Sequence, residues 1–249
     1  MADNRTIRGA RPPRRGGYSL AELMIAVAIL GVGLIMAAAL FPAAIKQNES
    51  SFNDTVGVLI CRNALDLAKV RLTNPIKEIS GATLSMTPGT FVDVTDPNQQ
   101  CFGPLDQLYV DPNSLMGFRL LARQVTAGVN DYELLAVAYG KIDAANQVHS
   151  DIVTGDIPPG PPPTTLNITS ANGQRAKKGS PFVFVTGDDG ARTIMAVTGT
   201  TLTLSGTATS GPNRNGYVFY ETLSDGTPLN YQSSPAISFM QTRTALREQ

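Results

Sequence analysis

The sequence predicts an α+β protein. A long N-terminal helix, transmembrane and then amphipathic, packs on an antiparallel β-sheet, and a second small all-β module follows. Three observations carry this. From Leu23 to Ile45 the chain holds 23 consecutive residues without a charge, nearly all apolar. Apolar positions then recur at helical spacing (Ile45, Phe52, Val56, Leu59, Ile60, Leu67, Val70) as far as residue 72. From Ala82 onward the period changes to two, with β-branched and aromatic residues between Gly, Pro, Asn and Asp punctuation.

These patterns divide the chain into a leader (1–17), a transmembrane helix (18–45), an amphipathic helix with an α+β head (46–150), a Pro-rich linker (151–175) and a small β-rich module with a tail (176–249). The leader lacks apolar periodicity and carries "RPPRRGG", so no packed structure is expected there. The run after it is long enough to cross a bilayer, which takes roughly 20 helical residues. Gly31 and Gly33 lie within it and would let neighbouring helices approach closely. Pro42 lacks an amide hydrogen and crowds the preceding turn, which predicts a kink or local unwinding. Asn74-Pro75 ends the helix.

Strands are predicted over 90–95, 117–125 and 132–139, the last two forming an antiparallel hairpin. "IPPGPPPTT" reads as a stiff polyproline connector, and four short strands beyond it read as a small meander. The segment 233–249 fits either a final strand or a frayed end.

Charge is distributed unevenly. Arg5, Arg8, Arg11, Arg14 and Arg15 against Asp3 give the leader a net +4, and the rest of the chain carries −4. By the positive-inside rule the leader stays cytoplasmic and the bulk is exported. A mildly acidic body argues against nucleic-acid binding, and the short basic cluster Arg175, Lys177, Lys178 reads as a solvated loop. Asp93, Asp96, Asp106 and Asp111 crowd a loop-rich stretch, but without calcium-loop spacing they read as solvated turn residues; Asp188 and Asp189 read as a hairpin turn. Two cysteines and one histidine, His149, give no metal-ligand spacing, and no cofactor is expected. Export to an oxidising space would permit a Cys61–Cys101 disulfide, with two separate thiols as the alternative. No nucleophile elbow or phosphate loop appears, and His149 lacks an obvious partner, so no enzyme is expected.

A lone carboxylate, Glu22, stands at the mouth of the apolar run. Ser19-Leu20-Ala21-Glu22 fits a capping box, in which Ser19 caps the helix and Glu22 reaches back to the Ser19 amide. An ordinary secretory signal is a poor fit, since its apolar core is about 7–15 residues.

Taken together, "RRGG" followed by "YSLAELMIAVAILGVG" resembles the N-terminal signal of type IV pilins and type II secretion pseudopilins, and the Gly31–Gly33 pattern is similar to their minor members. Tyr18 stands where phenylalanine is usual, and Pro42 lies three residues later than the family's proline. The resemblance implies that prepilin peptidase cuts after Gly17 and methylates the new amine of Tyr18. It further implies that Glu22 pairs with a neighbour's Tyr18 ammonium, offsetting the cost of burying a carboxylate. The implied partners are the peptidase, other pilin or pseudopilin subunits and the bacterial inner membrane, with the head in the periplasm or, after assembly, on a cell-surface filament. The expected function is that of a structural filament subunit. The alternative is a binding module, an adhesin or cargo receptor, using the C-terminal β region. Loss of assembly on changing Glu22 would favour the first; ligand loss with assembly intact on removing the β region would favour the second.

Overall fold

The computed structural model describes residues 19–96, 99, 101–102, 114–161, 164–170, 175–187, 189–229 and 235–248. The chain divides into two compact units, Met1–Ser50 and Ser51–Gln249. One helix, α1 (Leu20–Arg71, 52 residues), contributes to both. It runs unbroken through Pro42, so the local unwinding expected there is absent. Missing one amide hydrogen is compatible with a continuous helix when the neighbouring turns hold it. In the first unit the apolar side chains of α1 are exposed all round, Leu30, Ile35 and Leu40 among them. A helix that is apolar on every face needs lipid or other helices around it.

The second unit is built on an antiparallel sheet. Strands β3 (Met116–Gln124) and β4 (Tyr132–Gly140) form the expected hairpin, registered from Met116 opposite Gly140 to Gln124 opposite Tyr132. Both faces of this hairpin are buried, which explains why its strands are apolar almost without interruption. Leu120, Ala122, Leu134, Ala136 and Ala138 join a core with Ile60, Cys61, Ala64, Leu65 and Ala68 of α1. The alternate residues Leu121, Leu135 and Val137 join a different core with Val183, Val185, Tyr217 and Phe219. Successive strand residues point to opposite faces, so one hairpin serves two cores. Each Leu so buried contributes about 1.5–3 kcal/mol.

The helix meets the sheet through small residues. A methyl added at Gly57 would stand 2.8 Å from Ser238 Cβ and 3.0 Å from Ile237 Cγ2. One turn on, the Cys61 thiol donates to the carbonyls of Ala136 (3.5 Å) and Ser238 (3.6 Å).

The β-rich region is a closed barrel, where the sequence suggested a meander. Its strands are β5 (Gln147–Ile157), β6 (Thr164–Ile168), β7 (Pro181–Phe184), β8 (Ala191–Thr198), β9 (Thr201–Leu204) and β10 (Gly211–Thr222), ordered β10-β5-β6-β9-β8-β7. Closure is made where Gly216 and Tyr217 of β10 pair with Phe184 and Val183 of β7. The Phe182 ring occupies the space that any side chain at Gly216 would need. Phe182, Phe184, Leu166, Ile194, Leu202 and Val218 fill the interior.

Other expectations also change. Strand β5 crosses the expected boundary at 150/151, and the proline-rich stretch begins as the loop from β5 to β6 within one barrel. The expected strand 90–95 shrinks to β2 (Val92–Asp93), because the Asp93 carboxylate takes the Thr95 amide (2.9 Å) and hydroxyl (2.6 Å) and turns the backbone. The described part of the tail forms strands rather than a frayed end. Strand β11 (Ala236–Thr244) pairs antiparallel with β4, and β12 (Arg247–Glu248) pairs parallel with β1 (Thr73–Asn74) just beyond α1. The barrel is therefore an insertion between β4 and β11, two neighbours in one sheet.

Candidate assembly site at the helix N-terminus

The first turn of α1 forms a reciprocal capping box. The Ser19 amide donates to Glu22 Oε2 at 2.8 Å, and the Glu22 amide donates to Ser19 Oγ at 3.2 Å. The Leu23 amide then takes the Ser19 carbonyl at 3.2 Å, starting the helical ladder. Two of the orphan donors at a helix start are thus satisfied by the side chains that the Ser-x-x-Glu spacing picks out. Glu22 remains exposed, and its charge sits favourably at the positive end of the helix dipole. Oε1 stays open to a second donor, because the box uses Oε2.

Beyond Glu22 the helix offers no further charge until Lys46. Gly31 and Gly33 leave open space, since a methyl group added at either would meet no heavy atom within 4 Å. Pro42 lies inside the helix. Gly17 and Tyr18, expected at the cut and the methylated amine, lie outside the described residues, as do Asp106, Asp111 and Asp188.

The cysteines are both free thiols, so the candidate disulfide between Cys61 and Cys101 is not formed. Cys61 is committed to the helix–sheet core, and burial pushes its thiol up to about 11. Burial, helped by the charge of Glu78, likewise pushes Cys101 up to about 11. Both stay protonated at neutral pH, which makes them poor nucleophiles.

Several polar residues read as solvated turn a different way in the structure. Asp93 is buried, accepts a hydrogen bond from Ser150 and lies 3.7 Å from Arg119. Arg119 is itself buried and donates to the carbonyls of Val148 (3.0 Å, from Nε) and Thr95 (2.6 Å). Asp189 does lie in the turn between the antiparallel strands β7 and β8, as expected, but it is buried there, pairs with Arg214 and takes the Thr209 amide at 2.9 Å. Arg175 belongs to no free basic loop: it pairs with Asp151 and lies 4.6 Å from the Tyr220 ring centre. His149 has partners too, stacking on Tyr220 and placing Nε2 3.1 Å from Thr222 Oγ1. Sequence reasoning missed these because it treats a charge as solvated by default; the available signal was Arg119, a guanidinium between Phe118 and Leu120 in the apolar part of a strand. Among the described residues no group of three or more His, Cys, Asp and Glu is placed to hold a metal ion.

A long N-terminal helix whose stretch from Leu23 to Ile45 is apolar and uncharged, with an acidic cap and a β-rich body after it, fits membrane anchoring. Residues 12–38 match the prokaryotic N-terminal methylation motif, the type IV pilin and pseudopilin signal. Comparison with curated proteins and with solved structures returned no match.

Proposed function

We propose that the chain is a structural subunit, a minor pilin or pseudopilin, of a type IV pilus or type II secretion pseudopilus. Prepilin peptidase cuts it after Gly17 and methylates the amine of Tyr18, and it enters a filament through α1. The observation that carries this is the matched signal at residues 12–38 leading directly into a helix whose only charge near the membrane is Glu22. In this reading Glu22 passes from its local cap to a neighbour's ammonium as the helix leaves lipid, and Gly31 and Gly33 give the neighbouring helices room. The core shared by α1 and the β3–β4 face supports a pilin-like head. The packed barrel interior supports a structural element over a ligand carrier.

The test is the mature N-terminus. Mass spectrometry of the protein from its native membrane should give a chain beginning at Tyr18 with a methylated amine. An intact Met1, or a cut near Ala43 or Ala44, would reject the reading.

A further inference from the structure

We propose that Lys141 and Asn146 are the two ends of an intramolecular isopeptide bond, formed with loss of ammonia and assisted by Glu221, which locks the loop where the chain passes from the sheet into the barrel. That loop, residues 141–146, joins the end of β4 to the start of β5. Only its first and last residues are buried: Lys141 is 8% and Asn146 6% exposed, while the four residues between them are exposed or partly exposed. The loop is thus an arch with both feet turned inward. Glu221 of β10, only 3% exposed, meets it from below. One carboxylate oxygen, Oε1, accepts the Ile142 amide at 2.9 Å, next to the first foot, and Asn146 Nδ2 at 2.7 Å, on the second. The arch is also tied from within, since the Asn146 amide donates to the Asp143 carbonyl at 3.1 Å and Lys141 Nζ donates to the Ala144 carbonyl at 2.7 Å.

An amine in this place calls for a reason. Burying an ammonium is costly without a carboxylate against it, and among the described residues Lys141 makes no ion pair. Burial pulls its pKa below the usual lysine value, against the opposing pull of Glu221 and Asp143. More of it is then the neutral amine, which is the nucleophilic form. The Asn146 carboxamide is the matching electrophile, and the carboxylate that holds its nitrogen can carry a proton.

In the step itself, Nζ as free amine swings from the Ala144 oxygen to Asn146 Cγ and forms the new carbon–nitrogen bond. Glu221 takes the proton that the attacking nitrogen sheds and hands it to Nδ2, which already lies on Oε1. The Cγ–Nδ2 bond breaks and ammonia leaves. One amine and one carboxamide thus become one secondary amide and one ammonia, and no other reactant is consumed. Holding both ends on a single short loop supplies the proximity. The product also removes the buried cation, since a neutral amide takes the place of the ammonium.

The test is a digest of the purified full chain after denaturation. Trypsin, which cuts after lysine and arginine, should pass over Lys141 and release residues 124–175 as one peptide lighter by one ammonia, about 17 Da. Fragmentation should place the loss on a link between Lys141 and Asn146. Separate peptides 124–141 and 142–175 in its place would overturn the proposal, whether the second has its full mass or has lost ammonia alone through a succinimide. Glu221→Gln, close in shape but unable to carry the proton, should restore both cleavage at Lys141 and the full mass. An undiminished crosslink in that variant would also overturn the proposal. Should the variant not fold, the digest of the unaltered chain decides. Removal of the leader leaves residues 124–175 unchanged, so failure of the crosslink and failure of the filament reading are seen separately.

Discussion

At Glu22 one carboxylate is available for two tasks, and their energies differ enough to separate them. The capping box uses Oε2 and the Glu22 amide, and glutamine keeps both of those hydrogen bonds possible. A cap-only role therefore allows Glu22→Gln at most about 1 kcal/mol of helix stability. A charge pair in a filament core behaves otherwise, because removing one partner leaves a desolvated ammonium at a cost of about 3–5 kcal/mol. We expect Glu22→Gln to insert and be cut normally yet to be depleted in sheared filaments. Incorporation equal to that of the unaltered chain would leave only the cap. The same carboxylate was readable from sequence because its context is local: four residues, Ser19 to Glu22, contain the entire box.

At the scale of elements, α1 comes close to the sheet at Gly57. Glycine in a helix interior costs up to about 1 kcal/mol relative to alanine, so Gly57 is tolerated for what it permits nearby. The positions of Ser238 Cβ and Ile237 Cγ2 leave no room for a branched side chain there. Gly57→Val should lower the denaturation midpoint by an amount worth about 1–3 kcal/mol, as overpacking usually does. Val70→Ala, at an exposed position of the same helix, should change it little. The partner of Gly57 was not legible in advance, since β11 lies 180 residues later in the chain. Hairpin β3–β4 was legible, because two β-prone runs flank a loop containing Gly128 and Asn130. What covers each of its two faces was not, because an apolar run cannot say which distant segments will pack on it.

The whole second unit turns on that outer face. A linker rich in proline suggested a module that folds by itself, yet the chain leaves β4, builds the barrel and returns as β11 beside the strand it left. Closing such an insertion links residues far apart in sequence, which no local pattern records. The two parts are then joined by an apolar seam with Phe219, Leu121, Leu135 and Val137 all fully buried, and by polar contacts such as Arg123 to the Gly187 carbonyl at 2.5 Å. Buried area of this kind couples the parts in unfolding. We therefore expect the sheet and the barrel to unfold together. Alkylation of Cys61, buried in the helix–sheet core, reports the first; amide exchange in the β8–β9 hairpin reports the second. Both should lose protection at one denaturant concentration. Phe219→Ala, which opens a cavity in the seam at a cost of about 3–5 kcal/mol, should move both transitions down in step. A barrel that melts at lower denaturant while Cys61 stays protected would show two independent folding units and leave the seam as a contact without energetic consequence.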